Sequence, residues 1–224
     1  MTDLPLTPRT RVRRLPHHQV TDRAALYDVL DGALAATLAI VRDGRPVALP
    51  VGIGRDGDDV LVHGSSGSDF FRRIAAGTPV CLTVTQLLGL KYARSLFDSS
   101  MRYRCAVVHG VASVVPAEEK EDALLVLSEH LMPGRSADVR PMTARELAAT
   151  LVLRIPLSEA SVKDNAGSLV EVDDDGEDRA VWAGELPLHV IAGDPVTSAQ
   201  TVPGTAIPDS VRRAAARVAA TGTA

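Results

Sequence analysis

"ATLAIVRDGRPVALPVGIGRDGDDVLVH", residues 36–63, is the stretch that decides the fold class. Two apolar, β-branched runs flank Asp43-Gly44, a dipeptide that accepts positive φ at both positions and so closes two-residue hairpins. A second turn signal at Arg55-Asp56-Gly57-Asp58 leads into "DVLVH". Three strands therefore follow one another as an antiparallel meander.

Upstream, Thr21 can cap a helix through about Ala33, because Leu26, Val29, Leu30 and Ala33 recur at helical spacing. Downstream, "GSSGSDFFRRIAAGTPVCLTVTQ" opens with a Gly/Ser loop, begins a short helix near Asp69, closes it at Gly77 and starts a strand at Pro79. "YRCAVVHGVASVV" reads as one long strand. Glu118 and Glu119 begin a helix to about Met132, where acids complement the helix dipole. Thr143 and Glu146 have capping-box spacing, and "TLVLRIPL" after them is a further strand. Residues 192–224, rich in Ala, Pro, Thr and Gly, read as a surface tail with one helix near Val211 to Ala219. At least six antiparallel strands with two or three inserted helices predict a mainly β fold, a Greek-key β-barrel decorated by helices. The divisions are an N-terminal arm (1–20), a barrel domain (21–191) and a C-terminal tail (192–224).

A chain of 224 residues that is 46% hydrophobic can bury a full core. The formal charge of −4 argues against nonspecific binding to nucleic acid or an anionic membrane, which a basic surface drives. Two local charge runs stand out: Arg9, Arg11, Arg13 and Arg14 are basic, whereas Glu171, Asp173, Asp174, Asp175, Glu177 and Asp178 are acidic. Both read as solvated surface, as does the His17-His18 pair. Cys81 and Cys105 lack metal-ligand spacing and read as buried free thiols, with no metal site expected. No run is long enough to span a membrane, and the N-terminus lacks a secretory apolar core, so a cytoplasmic protein is expected.

Two stretches carry candidate chemistry. "HGSSGS", His63 to Ser68, lies between a strand and a helix, where unpaired amides and the hydroxyls of Ser65, Ser66 and Ser68 suit a phosphate. A plain loop with Ser68 as N-cap fits equally, and Asp69 would repel an anion that it faced. "GLKYARSLFDSSMRYRCAVVHG", residues 89–110, gathers Lys91, Arg94, Arg102 and Arg104 among Ser95, Ser99 and Ser100. Guanidinium groups grip oxyanions with two parallel bonds, so this density of donors suits an anionic ligand. Arg102 and Arg104 share a strand face, with Tyr103 on the other. His109 lies deep in the following apolar run, a position typical of a core or interface histidine. There is no Walker A, GxGxxG, HExxH or GxSxG pattern, so no catalytic residue can be named and an imported cofactor is left to carry any reaction.

Taken in order, "LPVGIGRDGDDVLVHGSSGS", "GTPVCLTVTQLLGLKYARS", "SMRYRCAVVHG", "PGRSADVRPMTARELAATLVLRI" and "VWAGELPL" resemble the pyridoxamine 5'-phosphate oxidase-like flavin-binding split barrels. The likeness is to the branch with the nitroimidazole-resistance flavoproteins, from about Arg11 to Leu188. The resemblance implies a homodimer with FMN in two interface clefts, and a barrel whose open side is covered by its twin would explain how an aromatic share of 3% suffices. It implies that the flavin ring lies against Leu49, Pro50, Val51 and Gly52. The phosphate would lie near His63, Ser65, Ser66 and Ser68 and the strand around Thr83 and Thr85. Arg94, Ser95, Arg102 and Trp182 would contribute to the cleft, Trp182 from the partner. The chain departs from its relatives at Asp69, Arg102, Cys105, His109 and Asp164; a cation lost beside the presumed phosphate and one gained at Arg102 relocates the anion site or marks the loss of FMN.

The leading expectation is an FMN-dependent oxidoreductase reducing a small organic substrate, with a nicotinamide as candidate donor. A haem-dependent enzyme with His109 or His63 as axial ligand is the alternative, and the deazaflavin F420 is a weaker cofactor option. A non-catalytic binder of flavin, haem or pyridoxal phosphate is the third reading.

Overall fold

The computed structural model describes residues 3–165 and 178–221. Its first strand, β1 (Gln19–Val20), follows a 3-10 turn at Pro16–His18, and α1 (Arg23–Asp31) comes next. Asp22 rather than Thr21 caps α1, since its carboxylate accepts the Ala24 amide at 2.9 Å. Leu26, Val29 and Leu30 bury the expected face. The central hairpin, β2 (Ala35–Arg42) and β3 (Arg45–Asp56), turns at Asp43 (φ 51°) and Gly44 (φ 74°), the backbone that the dipeptide favours.

The remaining elements are β4 (Asp59–Ser65), α2 (Asp69–Ala75), β5 (Val80–Tyr92), β6 (Ser100–Gly110), β7 (Ser113–Val114), α3 (Lys120–Leu131), α4 (Ala144–Ala149), β8 (Thr150–Pro156), β9 (Ala160–Asp164), β10 (Gly184–Pro187) and α5 (Asp209–Thr221). The strands run β1-β9-β6-β5-β2-β3-β4-β8-β7, with β10 on β5, and every neighbouring pair is antiparallel. This is the mainly β split barrel expected, with a sheet that does not close. β3 joins its two halves: Arg45 to Gly52 pair with β2, whereas Ile53 to Asp56 pair with β4.

One face of the sheet makes the main core. Leu38, Ile40, Ile53, Val62, Leu82, Val84, Val108, Ile155 and Val162 are each at most 4% exposed. On the outer side of β4 and β8, α3 packs Leu124 and Leu127 over Leu61 and Val152 as a second cluster. Gly54 allows that approach, for a Cβ there would lie 3.1 Å from the Leu127 Cα. The Phe71 ring likewise fills the space over Gly64, where a Cβ would come within 2.4 Å of it.

Three readings are corrected. The run from Tyr103 to Val115 is two strands, because the chain leaves β5 at Gly110, buries Ala112 and crosses to pair Ser113 and Val114 with β8. β9 and β10, not anticipated, add to the sheet beside β6 and β5 respectively. Cys81 and Cys105 are free, as read, but half-buried rather than buried. The tail does carry a helix, α5, and it docks through Arg217, which donates to the Asp31 carbonyl at 2.6 Å. The N-terminal arm buries Leu4 and Thr10, while Arg11, Arg13 and Arg14 stay exposed. Of the acidic run only Asp178 is described, and it is exposed; Glu171, Asp173, Asp174, Asp175 and Glu177 lie outside the described residues. Among the described residues no helix is long and apolar enough to cross a membrane.

The capping box at α4 forms as read: Thr143 Oγ1 accepts the Glu146 amide at 3.3 Å, and Glu146 accepts the Thr143 amide at 2.8 Å. Arg140 grips the same carboxylate at 2.6 and 2.9 Å; Arg140 first, then Thr143, holds Glu146 down at about 2. A carboxyl whose folded pKa is depressed binds fewer protons than the unfolded chain, so its contribution is complete above the ordinary glutamate value and lost as pH falls towards 2. The Thr143 amide resonance should titrate with a midpoint near 2. A midpoint at the ordinary glutamate value would refute the cap.

Candidate active site

The two faces of the β2, β3, β5 and β6 sheet differ sharply. The inner face carries Leu, Ile and Val. The outer face carries rows of short side chains, because residues paired in register point the same way. Thr37 pairs with Pro50 on one side and Thr83 on the other, and Thr83 pairs with Val107. In the next row Ala39 lies between Ala48 and Cys81, and Cys81 faces His109. Ala35 pairs with Gly52, and Thr85 with Cys105. All of these are exposed or half-buried, and nothing larger than Pro or Thr stands on the β2, β3 and β5 part of the floor from Ala35 to Ala39. A planar ring can lie flat there.

Of the four residues expected against such a ring, Pro50 and Gly52 are on this face. Val51 points into the barrel at 8% exposure, and Leu49 shares its side of the strand. Thr83 and Thr85, expected near the phosphate, stand on this same face. So does Cys81, two residues before Thr83 and opposite Ala39. His63 lies on the outer side of β4 opposite Val152, one step in register from Gly52, and Leu131 of α3 approaches that glycine. Thus β4 delivers His63 and Ser65 beside the floor.

The loop after β4 is a tight turn. Ser65 Oγ accepts the Gly67 amide at 3.2 Å, and the Ser68 amide donates to the Ser65 carbonyl at 3.0 Å. The Ser66 amide is used by Ala149, and Ser68 starts α2 without a side-chain cap bond. Asp69 does not stand alone against an anion: Arg73 holds it at 3.0 Å and Arg42 at 3.6 Å, and Arg73 also reaches Asp43 at 3.3 Å.

The other predicted group gathers elsewhere. β5 and β6 continue past the floor as a long hairpin, and β10 adds to its edge, pairing Gly184 with Tyr92 and Glu185 with Lys91. Arg102 is bound by Glu185, whose carboxylate passes over Gly89, and Arg104 by Asp164 at 3.0 Å. The cations of residues 89–110 therefore serve first to hold β9 and β10 against β6. Ser95 closes the hairpin loop, donating to Asp98 at 2.6 Å and accepting the Asp98 amide at 3.1 Å. Arg94 is half-buried beside it. Trp182 lies against Tyr92, ring centroids 5.6 Å apart, and is 66% exposed. At about 3.4 Å per residue, Gly89 is roughly 20 Å along β5 from Thr83. Within one chain the floor group and the hairpin group do not meet.

Glu185 had no signal in the sequence, lying 83 residues from its partner in a four-residue strand. Burial, first among the causes, pushes the Cys105 thiol up, which keeps it protonated and unreactive.

The family model for pyridoxamine 5'-phosphate oxidase matches residues 22–164. Among solved structures, the FAD and haem binding protein from Mycobacterium smegmatis is 42% identical with a TM-score of 0.84, covering 88% of this chain and 97% of that one. The flavocytochrome Anf3 from Azotobacter vinelandii is 28% identical with a TM-score of 0.86, covering 92% of this chain and 96% of its own. A candidate 5-nitroimidazole antibiotic resistance protein from Bacteroides thetaiotaomicron, 20% identical with a TM-score of 0.53 over 65% of this chain and 85% of that one, shares the fold. No curated protein matches.

Proposed function

The chain belongs to the pyridoxamine 5'-phosphate oxidase family, and we propose that it is a flavin- and haem-binding redox protein whose flavin lies on the open sheet face of a homodimer. The observation that carries this reading is the 42% identity, over 88% of the chain, to a protein that binds FAD and haem. That relative also favours FAD over FMN as the flavin.

The residues present fit a flavin. Ala35, Thr37, Ala39, Pro50, Gly52, Thr83 and Thr85 leave a flat, shallow floor, and the two central threonines offer hydroxyl donors to a polar ring edge. Bound flavin supplies electron or hydride transfer. The floor holds no acid or base among these residues, so their part is to bind, orient and exclude water. A small organic acceptor and a nicotinamide donor remain the expected substrates. Ser65, Ser66 and Ser68, with the His63 side of β4, are the donors nearest to the floor for a phosphate.

One observation supports pairing. Leu96 and Phe97, at the tip of the long hairpin, are 96% and 92% exposed, which is costly for apolar side chains unless something covers them. A two-fold partner would bring its hairpin group, with Arg94, Trp182 and the Arg102–Glu185 pair, to the floor that lacks it. Two free thiols fit a reducing compartment, and we place the protein in the cytoplasm.

Purified protein should show flavin absorption, release FAD on denaturation as identified by mass spectrometry, form a Soret band with haem, and run as a dimer. Colourless, monomeric protein that takes up neither cofactor sinks the reading.

A further inference from the structure

The open face continues past the flavin floor into a cavity of about 510 Å³ between the β2–β3 hairpin, β5, β6 and the N-terminal arm. Pro46, Cys81 and Val111 wall it, and His109, Arg9 and Glu159 bring polar groups to it. The β6 register fixes His109 here, opposite Cys81. Its backbone amide donates to the Glu159 carbonyl at 2.9 Å, while its imidazole makes no hydrogen bond to any described residue. Its half-buried imidazole faces a largely apolar cavity, where a ring nitrogen is a candidate metal ligand.

Glu159 is clamped by Arg9 at 2.8 and 2.6 Å and by the Thr7 hydroxyl at 3.2 Å. Glu159 lines the same cavity as His109, and a carboxylate beside an imidazole is the arrangement that orients a histidine and strengthens it as a metal ligand. His63 stands exposed on the outer side of β4 and does not line this cavity.

Resting on the haem reading above, we infer that His109 is the axial ligand of the haem iron in this cavity, and that Glu159 is its positioning carboxylate. The placement is one row from the Thr37 and Thr83 row, about 7 Å along the strands. Both cofactors then share one sheet face, close enough to exchange electrons.

The test uses full-length protein loaded with haem, and its readout is spectroscopic. His109→Gly should weaken haem binding at least tenfold, keep its flavin and its melting curve, and regain a Soret band when free imidazole is added. His63→Ala should keep wild-type haem affinity. Glu159→Gln should retain haem with a more positive reduction potential, since the ligand donates less charge. A His109→Gly protein that binds haem as wild type does, or a folded one that imidazole fails to rescue, overturns the ligand assignment alone. If His109→Gly does not fold, His109→Gln carries the same comparison. Wild-type protein that forms no Soret band with haem overturns the haem reading and the assignment together.

Discussion

Glu185→Ala should cost the fold about 2–4 kcal/mol, the range for removing one partner of a largely buried ion pair after some allowance for solvent. The side chains of Arg102 and Glu185 are 20% and 12% exposed, and the Glu185 carboxylate passes over Gly89. β10 has four residues and pairs only with β5, so backbone hydrogen bonds alone hold it weakly. Losing the carboxylate strips the Arg102 guanidinium of that charge partner and unfastens the strand at once. Trp182, the only tryptophan, packs against Tyr92 just ahead of β10 and reports this directly. In urea its emission should change before the far-ultraviolet signal of the barrel does. The double variant Arg102→Met, Glu185→Leu should recover most of the loss, because an apolar pair of similar size avoids the desolvation that the ions incur. A cost below about 0.5 kcal/mol, with coincident transitions, would show the pair to be an ordinary surface contact.

That pair also marks the limit of what the sequence discloses. Signals that act within a few residues were legible: Asp43-Gly44 fixed a hairpin, Thr143 and Glu146 a helix start, and Gly77 (φ 94°) a helix end. Alternation placed Arg102 and Arg104 on one side of β6 and Tyr103 on the other; both arginines do reach carboxylates, and Lys163 lies 5.7 Å from the Tyr103 ring. The identity of those carboxylates was not legible. Asp164 and Glu185 sit in short strands far along the chain, and only tertiary pairing brings them to β6. Four cations in one stretch therefore read as an anion site, although two of them are neutralised within the same chain.

The candidate floor was half visible for the same reason. Of the four residues that the resemblance sets against the ring, Pro50 and Gly52 share the open face while strand parity takes Leu49 and Val51 to the barrel side, a distinction that needs the register with β2. His109 stood out in an apolar run, but its cavity depends on Arg9 and Glu159, which lie 150 residues apart in the chain. Local chemistry in a sequence names the residue types of a site; the pairing of distant strands decides which of them meet.

Thr83→Trp should weaken flavin binding at least tenfold, which is about 1.4 kcal/mol or more, while leaving the barrel folded. Thr83 stands in the middle of the floor, beside Thr37 and Val107, on a face where no core packing is disturbed by added bulk. An indole there would occupy the surface that a planar ring needs and, in the proposed dimer, would prop the two copies apart. Flavin retention and dimerisation should therefore fall together, as read by absorbance and by light scattering on one sample. Its neighbour Leu82 gives the opposite response. Leu82 is fully buried in the main core, so Leu82→Ala should lower stability by about 2–5 kcal/mol yet keep flavin at temperatures well below its melting point. One strand would then show function on one side and stability on the other, residue by residue. Were Thr83→Trp to remain a dimer with its full complement of flavin, the cofactor would have to lie away from this face.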